Sequence, residues 1–178
     1  LNLITSEKCI ETAAGLAAAN ALVRANLNNY ATGDVLEITQ LDAADCVGMV
    51  GHFAPMVSSI RKKVSKLIIF EQIDQPKGDL IPSAEIKKQL PKCTVALITA
   101  TSLINHSFDR ILEAACNCRE VIVLGASTPL IPDIFSATPV TCLSGVIVTD
   151  AQELLRIVSF GGGMRMFKHC IKKINLKV

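Results

Sequence analysis

Four polar loops contain the side chains of this chain best suited to bind a ligand, and each follows an apolar run typical of a buried strand. They cover residues 51–55, residue 71, residues 99–107 and residues 125–129. Hydroxyl, amide and imidazole groups, with the N–H groups at a helix start, can hold an anion or a polar ligand group. The candidate ligand-binding residues are Gly51, His52, Phe53, Pro55, Glu71, Thr99, Thr101, Asn105, Gly125, Ser127, Thr128 and Pro129.

Each loop also has a simpler interpretation. Asn105 or Ser107 can serve only to cap the helix that follows. Glu71 lies 20 residues after Gly51, where an acidic side chain can accept hydrogen bonds from a ribose, or it is an ordinary solvated residue at a strand end. The glycine pattern GxGxxG of dinucleotide-binding proteins is absent from the sequence.

Metal binding and nucleophilic catalysis have weaker support. His52 and His106 can supply imidazole to a metal or act as acid and base, but neither has a carboxylate at ligand spacing. Cys116 and Cys118 form a CxC pair, which we predict to be packing at the opposite, amino edge of a sheet. The sequence contains no CxxC pair and no GxSxG pattern, so we predict neither a structural zinc site nor a serine hydrolase.

The apolar runs that position these loops are residues 46–50, 66–71, 94–99 and 120–125, with a weaker pair at 140–143 and 146–148. Amphipathic segments alternate with them, which predicts an α/β fold with a doubly wound, Rossmann-like parallel sheet. A strand order of 3-2-1-4-5 would put loops 51–55 and 125–129 beside the point where the order reverses, the usual ligand position. Residues 10–26 have helical spacing, with Ile10, Ala14, Ala17, Ala18, Ala21, Leu22 and Ala25 on a face predicted to pack.

Composition excludes several classes of protein. Of 178 residues, 50% are hydrophobic, and 18 basic side chains balance 16 acidic ones, so we predict no nucleic-acid partner. Apolar stretches are too short to cross a bilayer and no signal peptide is seen, so we predict no membrane partner. Seven cysteines, an odd number, indicate a reducing compartment and a cytoplasmic protein. The chain starts at Leu1 inside apparently structured sequence, so we expect an amino-terminal portion to be missing.

Several motifs occurring in order together resemble one family. They are GHFAP (51–55), IFE (69–71), ITATSLINHSFDRILE (98–113), LGASTPLIPDIF (124–135) and LSGVIVTD (143–150). This set is similar to the Rossmann-like heavy-metal chelation domain family, catalogued as a domain of unknown function. The resemblance covers about residues 35–178, and the sequence departs from it at Ala100 and Ala126, both still small.

The resemblance implies two units: residues 1–33 as the remnant of a preceding α+β domain with an enolase amino-terminal fold, and residues 34–178 as the Rossmann-like domain. It further implies a cleft between them, at the carboxyl edge of the sheet, with loops 51–55, 99–105 and 125–129 as one wall. A heavy or transition metal ion, or a small molecule that chelates one, is then the expected ligand.

Three functions remain open. The first is binding of a small polar or metal-bearing ligand, with His52 as the metal contact and with Ser127→Val or Thr128→Val weakening binding at little cost in folding. The second is an enzyme using a nucleotide-like cofactor held by Glu71. The third is an assembly domain without a ligand, for which a homodimer is the simplest expectation.

Overall fold

The computed structural model describes residues 2–22 and 30–178, and within them eight strands form one sheet. The strands are Ala31–Thr32 (β1), Cys46–Val50 (β2), Lys66–Glu71 (β3), Leu80–Pro82 (β4), Val95–Thr99 (β5), Glu120–Leu124 (β6), Cys142–Val148 (β7) and Ile171–Lys177 (β8). Their order is β1-β8-β7-β6-β5-β2-β3-β4. β8 is antiparallel to β1 and β7, and the other neighbouring pairs are parallel. The expected α/β class with a largely parallel sheet is therefore confirmed.

The strand order differs from the one we considered. Numbered as in the sequence analysis, the five strands run 2-1-3-4-5, because β2 lies between β3 and β5. Val47 of β2 is paired with Val95 of β5, so the order reverses between these two strands. Loops 51–55 and 99–105 flank the reversal, and loop 125–129 lies one strand away. Local apolar patterns identify strands but do not encode which strands become neighbours, so they could not supply this order.

The helices of the described residues are mostly short. They are Cys9–Leu22 (α1), Val35–Ile38 (α2), Ala54–Arg61 (α3), Ile86–Gln89 (α4), Thr101–Ile104 (α5), Phe108–Ala114 (α6) and Ala151–Ser159 (α7). Short 3-10 turns at Asn2–Thr5, Ser83–Glu85, Leu90–Lys92, Pro132–Phe135 and Phe167–His169 connect the rest. Asp150 caps α7 by accepting the Glu153 N–H at 3.0 Å, as its position before an amphipathic run predicts.

Two buried hydrophobic clusters cover the two faces of the sheet. One contains Met49, Ile60 and Ile69, and the other contains Phe70, Ile98 and Ile111. Ile69 and Phe70 are adjacent in β3 and alternate between the two clusters, because successive strand residues point to opposite faces. Apolar residues on both faces explain why these strands are nearly continuous apolar runs.

The predicted strands were incomplete at the edge of the sheet that contains β7 and β8. The two weak strands expected at 140–143 and 146–148 are one strand, β7, which is paired along its length with β8. β8 was missed because Lys172 and Lys173 are exposed and interrupt its apolar pattern, while Ile174 is buried.

Within the described residues, the first helix does not pack through the face expected from its spacing. Ile10 and Leu22 are 81% and 70% exposed, and the alanines expected beside them at 14, 17, 18 and 21 are exposed too. The opposite face, with Thr12, Gly15 and Leu16, is buried. At Gly15 a Cβ would lie 2.7 Å from the backbone nitrogen of Ile4, so the turn at Asn2–Thr5 lies close against this face. Residues 23–26 of the predicted helix, Ala25 among them, lie outside the described residues.

Within residues 2–22 and 30–178, no helix is both long and apolar enough to cross a membrane.

Candidate functional site

A cleft of about 930 Å³ opens at the carboxyl ends of β2, β3 and β5. Its walls come from the loops after these three strands and from helices α4 and α6. The cleft thus lies where the strand order reverses, the position at which parallel α/β sheets usually bind ligands.

The loop after β2 is held in place by a glycine and a carboxylate. Gly51 has φ +91°, and a Cβ at this position would meet the Thr99 side chain at 3.0 Å, so glycine suits both the turn and the contact. The carboxylate of Glu71 accepts the N–H of His52 at 3.0 Å through Oε2 and that of Gln72 at 2.9 Å through Oε1. Glu71 therefore joins the end of β3 to the start of this loop.

The loop after β5 presents hydroxyl groups. Thr99 Oγ1 and Thr101 Oγ1 are 2.9 Å apart, so one donates to the other. Buried Ser102 donates to the carbonyl of Thr99 at 2.6 Å and fixes the turn into α5. Because Thr101 is exposed, its oxygen can still bond to a group in the cleft.

Asn105 organises the next turn. Its Oδ1 accepts the backbone N–H of Ser107 at 3.2 Å and the Ser107 hydroxyl at 2.6 Å. Between them His106 has φ 56°, a left-handed conformation uncommon outside glycine, and its Nε2 is 3.5 Å from the Thr12 hydroxyl of α1. Ser107 precedes α6 without a side-chain cap hydrogen bond, and Asn105 bonds Ser107 rather than an N–H of the helix, so the expected capping role is not observed. Asn105 also lines the cleft.

Two basic side chains complete the cleft. Lys87 of α4 and Arg110 of α6 line it, both are exposed, and α4 packs beside α6. In the described ranges neither side chain forms an ion pair. Of the two carboxylates at the cleft, Glu71 is occupied by backbone N–H groups, and Glu113 lies on the same helix as Arg110. Because the two carboxylates balance the two cations in formal charge, the cations attract an anionic group of a ligand locally and do not make the whole cleft positive.

The loop at 125–129 has a different role. Thr128 is 2% exposed, and its hydroxyl donates to the carbonyl of Ser144 in β7 at 3.0 Å. The carbonyl of Ser127 accepts the side-chain amide of Asn20 at 3.2 Å, which joins α1 to this loop. The loop therefore connects β6, β7 and α1.

The predicted residues thus fall into two groups. Those lining the cleft are Gly51, His52, Phe53, Glu71, Thr99, Thr101 and Asn105, and those away from it are Pro55, Gly125, Ser127, Thr128 and Pro129. The sequence reasoning did not select Lys87, Arg110, Ser102 or Ser107. Lys87 and Arg110 belong to helices α4 and α6 rather than to the loops after strands, so the polar loops of the sequence do not indicate them.

A bare metal ion has few protein ligands here. Among the described residues, no group of three or more His, Cys, Asp and Glu side chains is arranged to hold one. His52 lines the cleft and is exposed, and it is the imidazole available there to a metal. Cys116 and Cys118 lie at the other edge of the sheet, before β6.

The topology and the cleft define an α/β protein with a mostly parallel sheet and a cavity at its carboxyl edge that is lined by both polar and apolar groups. Within this class, the chain belongs to the DUF364 family, because the family model, described as "Putative heavy-metal chelation", matches residues 34–177.

Three known proteins are similar to this chain. The chain is 25% identical over 182 residues to the uncharacterized protein MJ0500 of Methanocaldococcus jannaschii, covering 100% of this chain and 70% of that protein. A crystal structure of a DUF364 protein of unknown function from Pyrococcus horikoshii matches with a TM-score of 0.89 at 24% identity, over 98% of this chain and 71% of that one. A second crystal structure, of a DUF364 protein of unknown function from Desulfitobacterium hafniense DCB-2, matches with a TM-score of 0.85 at 26% identity, over 99% of this chain and 72% of that one.

Proposed function

We propose that the protein binds a small, anionic, oxygen-rich ligand that carries or chelates a heavy or transition metal ion. The observation that carries the proposal is that Thr99, Thr101 and Asn105 share one cleft with the cations Lys87 and Arg110. Hydroxyl and amide groups can donate to ligand oxygens, and the two cations attract its charge.

A metal chelate suits this cleft better than a bare ion. The neutral hydroxyl and amide groups are weak metal ligands, and both Glu71 oxygens already accept backbone N–H groups. Coordination must therefore come mainly from the ligand itself, with the His52 imidazole able to fill one open position. The description of the family as heavy-metal chelation supports the same ligand class.

The proposal extends to the domain organisation. We infer a doubly wound, Rossmann-like domain whose sheet takes in β1 at Ala31–Thr32, just before the boundary expected at residue 34, and a separate preceding unit that includes α1 and closes the cleft. Buried clusters on both sheet faces and the reversal between β2 and β5 support the first part. The exposed alanine face of α1 and the greater length of the structural relatives support the second. A homodimer and a cytoplasmic location stay predictions.

Isothermal titration with nickel citrate, citrate alone and Ni²⁺ alone tests the ligand class. We expect nickel citrate to bind the chain more tightly than either component. Thr101→Val should weaken it about fivefold through a lost hydrogen bond, and Arg110→Gln about tenfold through a lost charge. Thr149→Val and Arg165→Gln, exposed residues outside the cleft, are the matched controls. Equal binding by all four variants, or binding of Ni²⁺ alone, would contradict the proposal.

A nucleotide-like cofactor is the second candidate, favoured by the position of the cleft at the reversal of strand order. It predicts measurable binding of AMP in the same titration. Absence of AMP binding would exclude it and leave the chelate proposal intact.

A further inference from the structure

Three cysteines from separate segments meet at the amino edge of the sheet, opposite the cleft. Cys46 begins β2, and Cys93 and Cys118 precede the neighbouring strands β5 and β6. The Sγ atoms of Cys46 and Cys93 are 3.6 Å apart, and Cys118 Sγ donates to the Cys93 carbonyl at 3.3 Å. Because the three strands are parallel neighbours, their starting ends bring these thiols together.

The residues around the buried Cys93 leave space for its sulfur. At Gly48 of β2, a Cβ would lie 3.1 Å from Cys93 Sγ and would push against the end of the Leu90 side chain, so glycine leaves this volume to the two side chains. Cys93 is 3% exposed, whereas Cys46 is half-buried. The pair is thus sheltered on one side and reachable from solvent on the other. No other sulfur–sulfur hydrogen bond occurs among the described cysteines.

We propose that Cys46 and Cys93 form a binding site for a single thiophilic monovalent ion of the Cu(I) class, separate from the cleft. Soft thiolate ligands select such ions, and two thiolates are enough to hold one. A two-coordinate Cu(I) ion prefers a near-linear arrangement of its two sulfur ligands, so binding requires the sulfur–sulfur separation to widen from 3.6 Å. Rotation of the half-buried Cys46 side chain is the movement that would supply this widening. On binding, two S–H bonds break, two metal–sulfur bonds form and two protons pass to water, with no change of oxidation state.

The number of available ligands restricts which ion can bind. Two sulfur ligands suit an ion with a low coordination number and a strong affinity for sulfur. An ion that needs three or four protein ligands finds no such group among the described residues.

Competition for Cu(I) tests the site in the reduced full chain. Under anaerobic conditions, we expect the chain to withdraw one equivalent of Cu(I) from its complex with bathocuproine disulfonate. Cys46→Ser and Cys93→Ala should each weaken the uptake at least tenfold. Cys9→Ser, an exposed cysteine, and Cys142→Ala, a buried one, are the matched controls and should keep wild-type uptake.

Two further measurements keep the outcome clear. A melting curve identifies any variant that fails to fold, and Cys46→Ser then carries the test because this residue is only half-buried. X-ray absorption at the copper edge should show sulfur neighbours alone. No uptake, equal uptake by all four variants, or nitrogen and oxygen neighbours would overturn the proposal. Thr101→Val should leave Cu(I) uptake unchanged, so this site and the cleft are tested independently.

Discussion

The carboxylate of Glu71, at the end of β3, accepts the backbone N–H of His52, just after the neighbouring strand β2, at 3.0 Å. Its other oxygen accepts the N–H of Gln72 at 2.9 Å. The side chain that the sequence offered for a ribose therefore positions other groups, because it fixes the loop that carries Gly51 and His52 into the cleft.

Glu71→Gln should loosen this loop. One acceptor oxygen is replaced by an NH₂ group, which cannot accept an N–H, so one hydrogen bond is lost at a cost of about 1 kcal/mol. Hydrogen exchange should become faster at the amides of His52 and Gln72 while strand amides keep their protection. Glu113→Gln, at the same cleft but on helix α6, is the control. Unchanged exchange in Glu71→Gln would show that the carboxylate does not hold the loop.

Asp45 joins separate segments at the amino edge of the sheet, as Glu71 does at the carboxyl edge. Its carboxylate pairs with Arg119, with Oδ2 2.6 Å from Nη2 and Oδ1 3.3 Å from Nε. It also accepts the Thr94 hydroxyl at 2.7 Å and the Asp42 N–H at 2.7 Å. Asp45 is buried and Arg119 is partly exposed. Asp45→Asn should lower the free energy of unfolding by about 2 kcal/mol, because an amide can satisfy only some of these donors. Urea denaturation measures the loss, and Asp74→Asn, on an exposed side chain, should cost under about 0.5 kcal/mol.

The same carboxylate gives a pH dependence. Burial alone raises the pKa of Asp45, but hydrogen bonds from Arg119, Asp42 and Thr94 outweigh it and hold the pKa below its usual value of 3.8. A depressed pKa in the folded state adds stability that is complete above the usual value and is lost as the pH falls through the folded value. The stability difference between wild type and Asp45→Asn should therefore be constant from pH 7 to about 5 and shrink below about pH 4. A difference that persists unchanged at about pH 2.5 would contradict this account.

Sequence patterns predicted the positions of the central strands but not which strands lie next to each other in the sheet. Val47, Leu97 and Val123 lie in apolar runs because both faces of the sheet are covered, and such runs are visible without a structure. Neighbour choice depends on packing between distant segments. For that reason the reversal between β2 and β5 could not be predicted.

The site was predictable only where its groups follow strands. Thr99, Thr101 and Asn105 satisfy that rule, whereas Arg110 reaches the cleft from a helix face that looks like ordinary solvated surface. Thr128 satisfies the rule as well, yet it is buried and serves a neighbouring strand. Residue type and spacing do not distinguish a hydroxyl that bonds a ligand from one that bonds a carbonyl.

Thr128 and Thr101 together provide a test of that distinction. Thr128→Val keeps the side-chain shape and removes the hydrogen bond to Ser144, whose carbonyl still accepts the N–H of Gly125 at 3.1 Å. It should lower the free energy of unfolding by about 1 kcal/mol and leave nickel citrate binding unchanged, because this residue lies away from the cleft. Thr101→Val, on an exposed residue, should do the reverse, with stability nearly unchanged and affinity reduced. Urea denaturation and titration of the same two preparations measure both quantities. Loss of affinity in Thr128→Val without loss of stability would transfer the ligand contact to the loop at 125–129 and contradict the cleft proposed above.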